Sequence, residues 1–173
     1  MVNIRKATTE DAKLITGLAV KTFIESHGHS APVGDIENYI SEKYVVDVIE
    51  SELNDPSNIF HIIYFNGQAA GYSKIIFNCA YPLIISTNVT KLERLYLLKD
   101  FYDHKLGAKL FEFNTNLSKQ EKQNGIWLYV WKENQRAISF YKKAGFEIIA
   151  SADFKISETH SNPNYIMLLK YKM

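Results

Sequence analysis

One tyrosine in the second half of the sequence, Tyr141, carries a phenol that could donate a proton to a bound molecule. A helix is predicted around it by the N-cap residue Asn134, by Gly145 after the helix end, and by apolar residues at helical spacing. Asn134 and Tyr141 share one face of this helix, about two turns apart. The aromatic and β-branched residues 126–131 predict a buried strand just before it. Because α/β proteins tend to bind ligands where a strand ends and a helix starts, Tyr141 is a candidate acid catalyst.

The same helix also has a simpler interpretation. Aromatic residues at helical spacing usually belong to a hydrophobic core, so Tyr141 and the neighbouring Phe140 could pack inside the protein. The helix taken alone does not decide between a catalytic role and a packing role.

Length and charge limit the classes of protein to which the chain can belong. The 173 residues fit one domain, residues 1–173, which is long enough to bury most of its apolar surface without disulfides. The 20 basic and 19 acidic side chains nearly cancel, and no long run of one sign occurs. We therefore expect a small-molecule partner and no nucleic-acid partner.

The single cysteine and the apolar segments bear on the compartment. Cys79 has no second cysteine to pair with, which excludes an internal disulfide and favours a reducing compartment. The sequence shows no cysteine spacing typical of metal ligands, and its first residues lack the apolar core of a signal peptide. No apolar run approaches the ~18 residues that a membrane span needs. We expect a cytoplasmic protein with no metal and no membrane partner.

Turn signals and apolar periodicity predict an alternation of strands and helices. A strand at residues 2–4 precedes a helix that ends near Ser26, and residues 35–53 indicate one broken helix or two short ones. Asn66-Gly67 is a strong hairpin signal between strands 59–65 and 69–77. Residues 79–90 are predicted to form a loop with room for a short strand.

The second half is predicted to continue with a strand at residues 92–98 and a helix after it. That helix carries apolar residues on one face, namely Leu106, Leu110, Phe113 and Leu117. The strand at 126–131 and the helix containing Tyr141 follow, and strands near 146–151 and 165–170 end the chain. This order predicts a mixed sheet with helices on both faces.

The residues around Tyr141 resemble a known family motif. From Asn134 to Phe146 the sequence reads Asn-x-x-Ala-x-x-Phe-Tyr-x-Lys-x-Gly-Phe. This pattern is similar to the C-terminal motif of the GNAT superfamily of N-acetyltransferases, which move an acetyl group from acetyl-CoA to an amine. The predicted order of elements is also that of a GNAT domain. The resemblance implies an α/β (α+β) fold whose mixed, mostly antiparallel sheet of about seven strands is flanked by helices on both faces.

The resemblance implies a coenzyme A site along the middle of the chain. In the family, the pyrophosphate loop reads Arg/Gln-x-x-Gly-x-Gly/Ala, and the aligned residues here are Tyr102, Lys105 and Gly107, of which Gly107 alone matches. Unpaired backbone N–H groups at a helix start can bind phosphate whatever the side chains are. The residues assigned to the cofactor are Leu95, Tyr96, Leu97, Tyr102, Asp103, His104, Lys105, Leu106, Gly107, Ala108, Lys109, Asn134, Arg136, Ala137, Tyr141 and Lys143.

The pantetheine arm would lie against the backbone of residues 95–97, as a strand would. This arrangement needs the strands at 92–98 and 126–131 to splay apart, because buried N–H and C=O groups are rarely left without a partner. A continuous sheet is the alternative that the sequence leaves open.

Acetyl transfer needs a neutral amine, a stabilised oxyanion and a proton for the departing thiolate. An alkylamine has a pKa of about 10.4, so a base or a water relay must help to deprotonate it. The resemblance makes Glu93 the candidate base, although an ion pair with Arg94 or with a neighbouring strand explains this residue equally well. Tyr141 would protonate the thiolate, and backbone N–H near Leu97 would bind the oxyanion.

The resemblance implies an acceptor site beneath the loop that follows the first helix. Candidate substrate-binding residues are Phe23, Glu25, His27 and Tyr39. The pair His27 and His29 could suggest a metal, but no Cys or carboxylate set at ligand spacing accompanies it.

Several segments resemble the bacterial GNAT proteins that acetylate polyamines such as spermidine. A polycation would require carboxylates in its groove, and Glu25, Asp35, Glu37 and Glu42 lie on the segments expected there. Solvated helix charges explain these residues equally well.

Two other functions compete with a small-molecule acetyltransferase. One is a non-catalytic acyl-CoA sensor, which the altered phosphate loop favours and the presence of Tyr141 disfavours. The other is an acetyltransferase for protein or peptide amines. The apolar loop at residues 81–85 is a candidate contact for a homodimer.

Overall fold

A computed structural model describes residues 1–172, which form a seven-stranded sheet with helices packed on it. The elements in chain order are β1 Val2–Lys6, a 3₁₀ turn Thr9–Asp11, α1 Ala12–His27, α2 Val33–Lys43, α3 Val46–Asn54, β2 Asn58–Phe65, β3 Gln68–Ile76, β4 Thr90–Leu97, a 3₁₀ helix Lys99–His104, α4 Leu106–Gln120, β5 Gly125–Trp131, α5 Gln135–Lys143, β6 Glu147–Lys155 and β7 Ser161–Lys170. The segment at 35–53 is thus two short helices, and the closing strands are longer than predicted.

The sheet has the strand order β1-β2-β3-β4-β5-β7-β6. Every neighbouring pair is antiparallel except β4 and β5, which are parallel. The β2–β3 hairpin turns at Asn66 and Gly67, whose φ angles of 50° and 81° are the left-handed values that a tight hairpin requires. The predicted mixed, mostly antiparallel sheet is confirmed.

Helices α1 to α3 cover one face of the sheet. Ile15 and Phe23 of α1 and Ile49 of α3 pack with Phe60 and Ile62 of β2, and each of these side chains is almost fully buried. Burying a large apolar side chain contributes roughly 1.5–3 kcal/mol, so this layer holds α1 firmly against the sheet. The end of α1 is thereby fixed above the carboxyl half of β4.

Helices α4 and α5 cover the opposite face. Leu106 and Leu110 of α4 pack with Ile63 and Ala70, while Ile138 of α5 packs among the inward residues of β5. The helices therefore lie on both faces, as expected.

One predicted core position of α4 is wrong. Phe113 is 37% exposed and contacts His61 at the edge of the helix, with ring centroids 4.8 Å apart. The row that begins with Leu106 and Leu110 reaches the sheet next at Asn114, which is fully buried. Its amide donates to Ser73 Oγ and to the Leu110 carbonyl, both at 2.8 Å, so a polar residue is tolerated there.

The segment between β3 and β4 is a loop without a strand. The Tyr81 ring packs on Trp127 at 4.9 Å, whereas Leu83 and Ile85 are 64% and 104% exposed. The homodimer contact suggested for this loop stays a prediction. No helix within residues 1–172 is long and apolar enough to cross a membrane.

We predict opposite stability changes for two glycine-to-alanine substitutions. A Cβ at Gly71 would clash with the Tyr96 carbonyl oxygen and lie 2.5 Å from Leu97 Cδ2, so Gly71→Ala should lower the free energy of unfolding by about 1–3 kcal/mol. A Cβ at Gly17, inside α1, would meet nothing within 4 Å, so Gly17→Ala should raise it by about 0.5–1 kcal/mol. Urea unfolding of both variants measures these changes, and an unchanged Gly71→Ala protein would contradict the close β3–β4 approach.

Candidate active site

The parallel strands β4 and β5 diverge almost as soon as they meet. They pair only at Thr90 with Ile126 and at Lys91 with Trp127. Beyond these residues, the edge of β4 that faces β5 has no strand partner among residues 1–172, while its other edge stays paired with β3. Backbone N–H and C=O groups in such a gap need another partner, and a ligand with amide groups can supply one. The predicted splay is therefore present.

A β-bulge in β4 lies at the mouth of this gap. Lys74 pairs with Arg94 and Ile75 pairs with Leu92, so Glu93 is an extra residue on β4. A bulge bends the strand and redirects side chains, and here consecutive residues 92–96 all line one cavity. No turn or periodicity signal in the sequence indicated this bulge.

The cavity in the gap has a volume of about 190 Å³, which is room for on the order of ten water molecules. It brings together many residues that the sequence singled out, namely Phe23, His27, Tyr39, Glu93, Leu95, Tyr96, Asn134, Ala137 and Tyr141. It is also lined by residues that sequence reasoning missed, including Tyr44, Lys91, Arg94, Tyr129, Trp131, Phe154, Asn162 and Asn164. Apart from the aromatic run of β5, the sequence carried no signal for the latter set.

Tyr141 lies at the boundary between the core and the cavity. Its ring packs edge-on against Phe111 and Phe146, with centroids 6.3 and 5.2 Å away. Its hydroxyl has no hydrogen-bond partner within residues 1–172. Burial raises the pKa of the Tyr141 phenol, which keeps the proton on the oxygen at neutral pH. The ring is thus a core group, and the hydroxyl is free to donate to a ligand.

Glu93 is held by two lysines. Its carboxylate lies 3.3 Å from Lys74 Nζ and 3.6 Å from Lys91 Nζ. Burial acts to raise the pKa of Glu93, but the positive charges of Lys91, Lys74 and Arg94 outweigh it and hold the pKa below its usual range. Glu93 is therefore ionised at neutral pH. The ion pair with a neighbouring strand is formed, whereas Arg94 bonds Glu52 instead.

The start of α4 presents free backbone donors. The first internal bond of the helix runs from the Lys109 N–H to the Lys105 carbonyl at 3.2 Å, which leaves the N–H groups of Leu106, Gly107 and Ala108 without a helical acceptor. A Cβ at Gly107 would meet only Leu97 Cδ1, at 3.5 Å. The fold itself does not need glycine at position 107, so the space beside it can receive a ligand. These features fit a phosphate group.

Lys105 precedes α4 in a left-handed conformation, with φ 56° and ψ 23°. Glycine adopts this conformation without strain, which explains why a glycine is usual at this place in the pattern that the chain resembles. Lys105 keeps the same backbone turn with a different side chain.

Tyr102 and Arg136 join the two sides of the gap. Tyr102 belongs to the 3₁₀ helix after β4, and Arg136 belongs to α5, which follows β5. The guanidinium carbon of Arg136 lies 3.6 Å from the centre of the Tyr102 ring, a stacked cation–π contact. Both residues were predicted to contact the cofactor, and the structure places them against each other.

The remaining cofactor candidates lie at varied places. Asp103 and His104 belong to the 3₁₀ helix rather than to α4, and the His104 ring stacks on Phe65 at 4.3 Å. Lys143 is exposed at the end of α5. Asn134 caps α5, its side-chain oxygen accepting a hydrogen bond from the Ala137 N–H at 3.2 Å.

The end of α1 supplies an aromatic wall to the cavity. Phe23 stacks with His27 at 5.2 Å and with Tyr39 at 4.9 Å, and His27 contacts Trp131 at 5.6 Å. Burial lowers the pKa of His27 to about 4, and repulsion from His29 adds to this effect, so the imidazole is neutral near pH 7. No group of three or more His, Cys, Asp or Glu side chains in the described residues could hold a metal ion.

The acidic residues suggested from the sequence lie outside this cavity. The Glu25 carboxylate accepts a hydrogen bond from the Lys99 backbone N–H at 2.9 Å. Asp35 and Glu42 border a second cavity. Tyr39 and Ile156 line both cavities.

Comparison with known proteins identifies the family to which the chain belongs. The acetyltransferase (GNAT) family model matches residues 23–146. Spermidine N(1)-acetyltransferase of Thermoplasma acidophilum is 28% identical over 171 residues, which is 99% of this chain and 98% of that protein. An uncharacterized N-acetyltransferase in the pepI 3′ region of Lactobacillus delbrueckii subsp. lactis is 27% identical over 83% of both chains.

Solved structures share the fold. The crystal structure of the PaiA N-acetyltransferase from Thermoplasma acidophilum in complex with coenzyme A superposes with a TM-score of 0.78, at 24% identity and 99% coverage of both chains. The predicted enzyme class, an acyltransferase that uses acetyl-CoA, is confirmed by the family match. This chain, in which the sheet opens between β4 and β5 beside two helix starts, belongs to the acetyltransferase (GNAT) family.

Proposed function

We propose that this chain transfers the acetyl group of acetyl-CoA to a primary amine of a small molecule, by direct attack of the amine on the thioester. The observation that carries the proposal is the cavity in the β4–β5 gap, which Tyr141 and Glu93 both line. Acetyl-CoA, when bound, supplies the activated acetyl group. The cavity volume of about 190 Å³ favours a small acceptor.

Two features of the main chain would hold the cofactor. The unpaired edge of β4 around residues 95–97 offers N–H and C=O groups to the amides of the pantetheine arm. The free N–H groups of Leu106, Gly107 and Ala108 at the start of α4 offer a pyrophosphate site that the helix dipole strengthens. Lys105 and Lys109 add positive charge nearby.

Glu93 and Tyr141 would handle the protons. Because the pKa of Glu93 is held low, its carboxylate stays ionised, would attract the ammonium group of the acceptor, and would orient a water molecule that passes the amine's proton to bulk solvent. The Tyr141 hydroxyl, protonated and without a partner, would give its proton to the departing sulfur. Backbone N–H near Leu97 would stabilise the negative charge that develops on the carbonyl oxygen.

A polyamine is a narrower candidate for the acceptor, and its support is the similarity to the Thermoplasma spermidine acetyltransferase. A peptide amine would need an open groove leading to Tyr141, whereas aromatic side chains from α1, α2 and β6 crowd this cavity. A sensor without turnover would bind acetyl-CoA through the same main-chain groups. The lone Cys79 fits a reducing, cytoplasmic compartment.

One assay tests the proposed function. Purified protein is mixed with acetyl-CoA and a panel of amines, amino acids, aminoglycosides, polyamines and peptides, and the release of free thiol is followed. Amine-dependent thiol release, with an acetylated small amine identified by mass spectrometry, is the expected result. Binding of acetyl-CoA without thiol release for any amine would indicate a sensor.

We predict that Gly107→Val weakens acetyl-CoA binding far more than Lys105→Ala does. A β-branched side chain at residue 107 fills the space beside the free N–H groups of α4, whereas the alanine at residue 105 removes one exposed charge and keeps the backbone turn. Calorimetric titration gives both dissociation constants. Equal losses would show that side-chain charge, and not backbone access, binds the phosphates.

We predict that Tyr141→Phe lowers kcat by about 10²-fold while leaving thermal stability unchanged. The ring contacts with Phe111 and Phe146 survive, and the lost hydroxyl had no hydrogen-bond partner within residues 1–172. Measuring kcat and Tm on the same sample separates the two roles. Full turnover by this variant would remove Tyr141 from the mechanism.

We predict that Glu93→Gln lowers kcat/KM at every pH without moving the pH at which activity rises. The pKa of Glu93 is held below its usual range, so this carboxylate is ionised on both sides of the rise expected between pH 7 and 9. That rise would reflect deprotonation of the amine substrate, whose pKa is about 10. The comparison is made by measuring kcat/KM against pH for both proteins. A shift in the pH at which kcat/KM rises in the variant would mean that this rise reflects ionisation of Glu93.

A further inference from the structure

A series of linked ion pairs, which includes the cavity-lining residues Lys91, Glu93 and Arg94, contains more positive than negative charge. Arg94 pairs with Glu52 at 2.8 Å, and Lys74 lies 3.1 Å from Glu52 and 3.3 Å from Glu93. Lys91 lies 3.6 Å from Glu93. The series of ion pairs thus alternates in sign, begins and ends with a cation, and contains three cations and two carboxylates.

The excess charge is partly shielded from water. The side chains of Lys74, Arg94 and Lys91 are only 5%, 11% and 22% exposed. Glu93 is the one Asp or Glu among the described residues that line the cavity, and His27 is neutral near pH 7. A buried charge without a counter-charge is costly, so this surplus calls for an anion.

Neighbouring aromatic rings stabilise the excess positive charge without neutralising it. Lys91 Nζ lies 5.4 Å from the centre of the Trp127 ring and 5.3 Å from that of Tyr129, and the Arg94 guanidinium lies 5.3 Å from that of Tyr44. Such cation–π contacts leave the full positive charge in place.

The two cations that line the cavity are Lys91 and Arg94, and both keep unused donors. Arg94 donates one hydrogen bond from each terminal nitrogen to Glu52, although a guanidinium carries five N–H groups. Lys91 Nζ makes no hydrogen bond to any group within residues 1–172, because its distance to Glu93 exceeds hydrogen-bonding range. The oxygens of a carboxylate or phosphate would accept hydrogen bonds from the unused donors of both cations.

We propose that the acceptor is an amine that also carries an anionic group, a carboxylate or a phosphate, which Lys91 and Arg94 bind while Glu93 receives the amine. This inference rests on the proposed acetyltransferase function and narrows its substrate class. It also disfavours a polycation, since every further positive charge of the acceptor would enter a site that already has one cation in excess.

Matched pairs of amines test the inference on the wild-type protein. Each pair shares its amine and differs in the anion: lysine with cadaverine, ornithine with putrescine, phenylalanine with phenethylamine, and phosphoethanolamine with ethanolamine. Spermidine serves as the polycation. Thiol release from acetyl-CoA gives kcat/KM, which is expressed per deprotonated amine to remove differences in amine pKa.

We expect the best acceptor to be an anion-bearing amine, with kcat/KM at least about tenfold above that of its anion-free partner. Preference within the amino-acid pairs identifies a carboxylate, and preference within the phosphoethanolamine pair identifies a phosphate. Highest activity on spermidine or on an anion-free amine, or equal activity within every pair, overturns the inference and leaves the acetyltransferase function standing. No thiol release with any amine overturns the proposed function itself.

Two variants of Lys91 assign the preference to this side chain. Lys91→Met removes the charge at nearly constant length. Because Lys91 also pairs with Glu93, activity on both amines of a pair can fall, so the readout is the ratio of their kcat/KM values, which should fall about tenfold toward equality. Lys91→Arg keeps the charge and should retain the preference. Thermal midpoints of both variants check the fold, and an unaltered preference in a folded Lys91→Met protein overturns the assignment to Lys91.

Discussion

The divergence of two parallel strands is the constraint on which the rest of the site depends. β4 and β5 pair at only two positions, and both then run toward the same edge of the sheet. Because the strands are parallel, the elements that follow them begin at that edge too, which brings the starts of α4 and α5 to one opening. An unpaired strand edge, two helix starts and a cavity thus arise from the loss of a few ladder hydrogen bonds.

The gap must be held open, since exposed strand edges tend to pair. The bulge at Glu93 bends β4 away from a regular ladder, and the close approach of Gly71 fixes the other edge of β4 on β3. The stacked pair of Tyr102 and Arg136 connects the 3₁₀ helix after β4 to α5, which follows β5. These contacts connect residues that are distant in the sequence, so the opening is a property of the whole sheet.

The elements with local signals could be predicted from the sequence. The hairpin at Asn66 and Gly67 needs only its two turn residues, and the Tyr141 helix needs its cap and its spacing. The bulge and the ion pairs of Glu52 could not be predicted, because their partners lie on other strands and no periodicity records them. Asn114 shows a third limit: an apolar pattern favours Phe113 for the core, whereas a partner on β3 makes the amide acceptable inside.

The loop before α4 can differ from the family pattern in its side chains because the proposed phosphate contacts are made by the main chain. Groups that bind through backbone N–H tolerate substitution as long as the turn persists, and Lys105 holds a left-handed turn at a cost of roughly 1–2 kcal/mol relative to glycine. A side-chain pattern can therefore be lost while the backbone N–H groups that can bind an anion are kept. Proton transfer and charge recognition have no such freedom, because they need a particular phenol, carboxylate or ammonium. Under the proposed mechanism, substitution of Tyr141, Glu93 or Lys91 in this chain should therefore be tolerated much less well than substitution in the loop before α4.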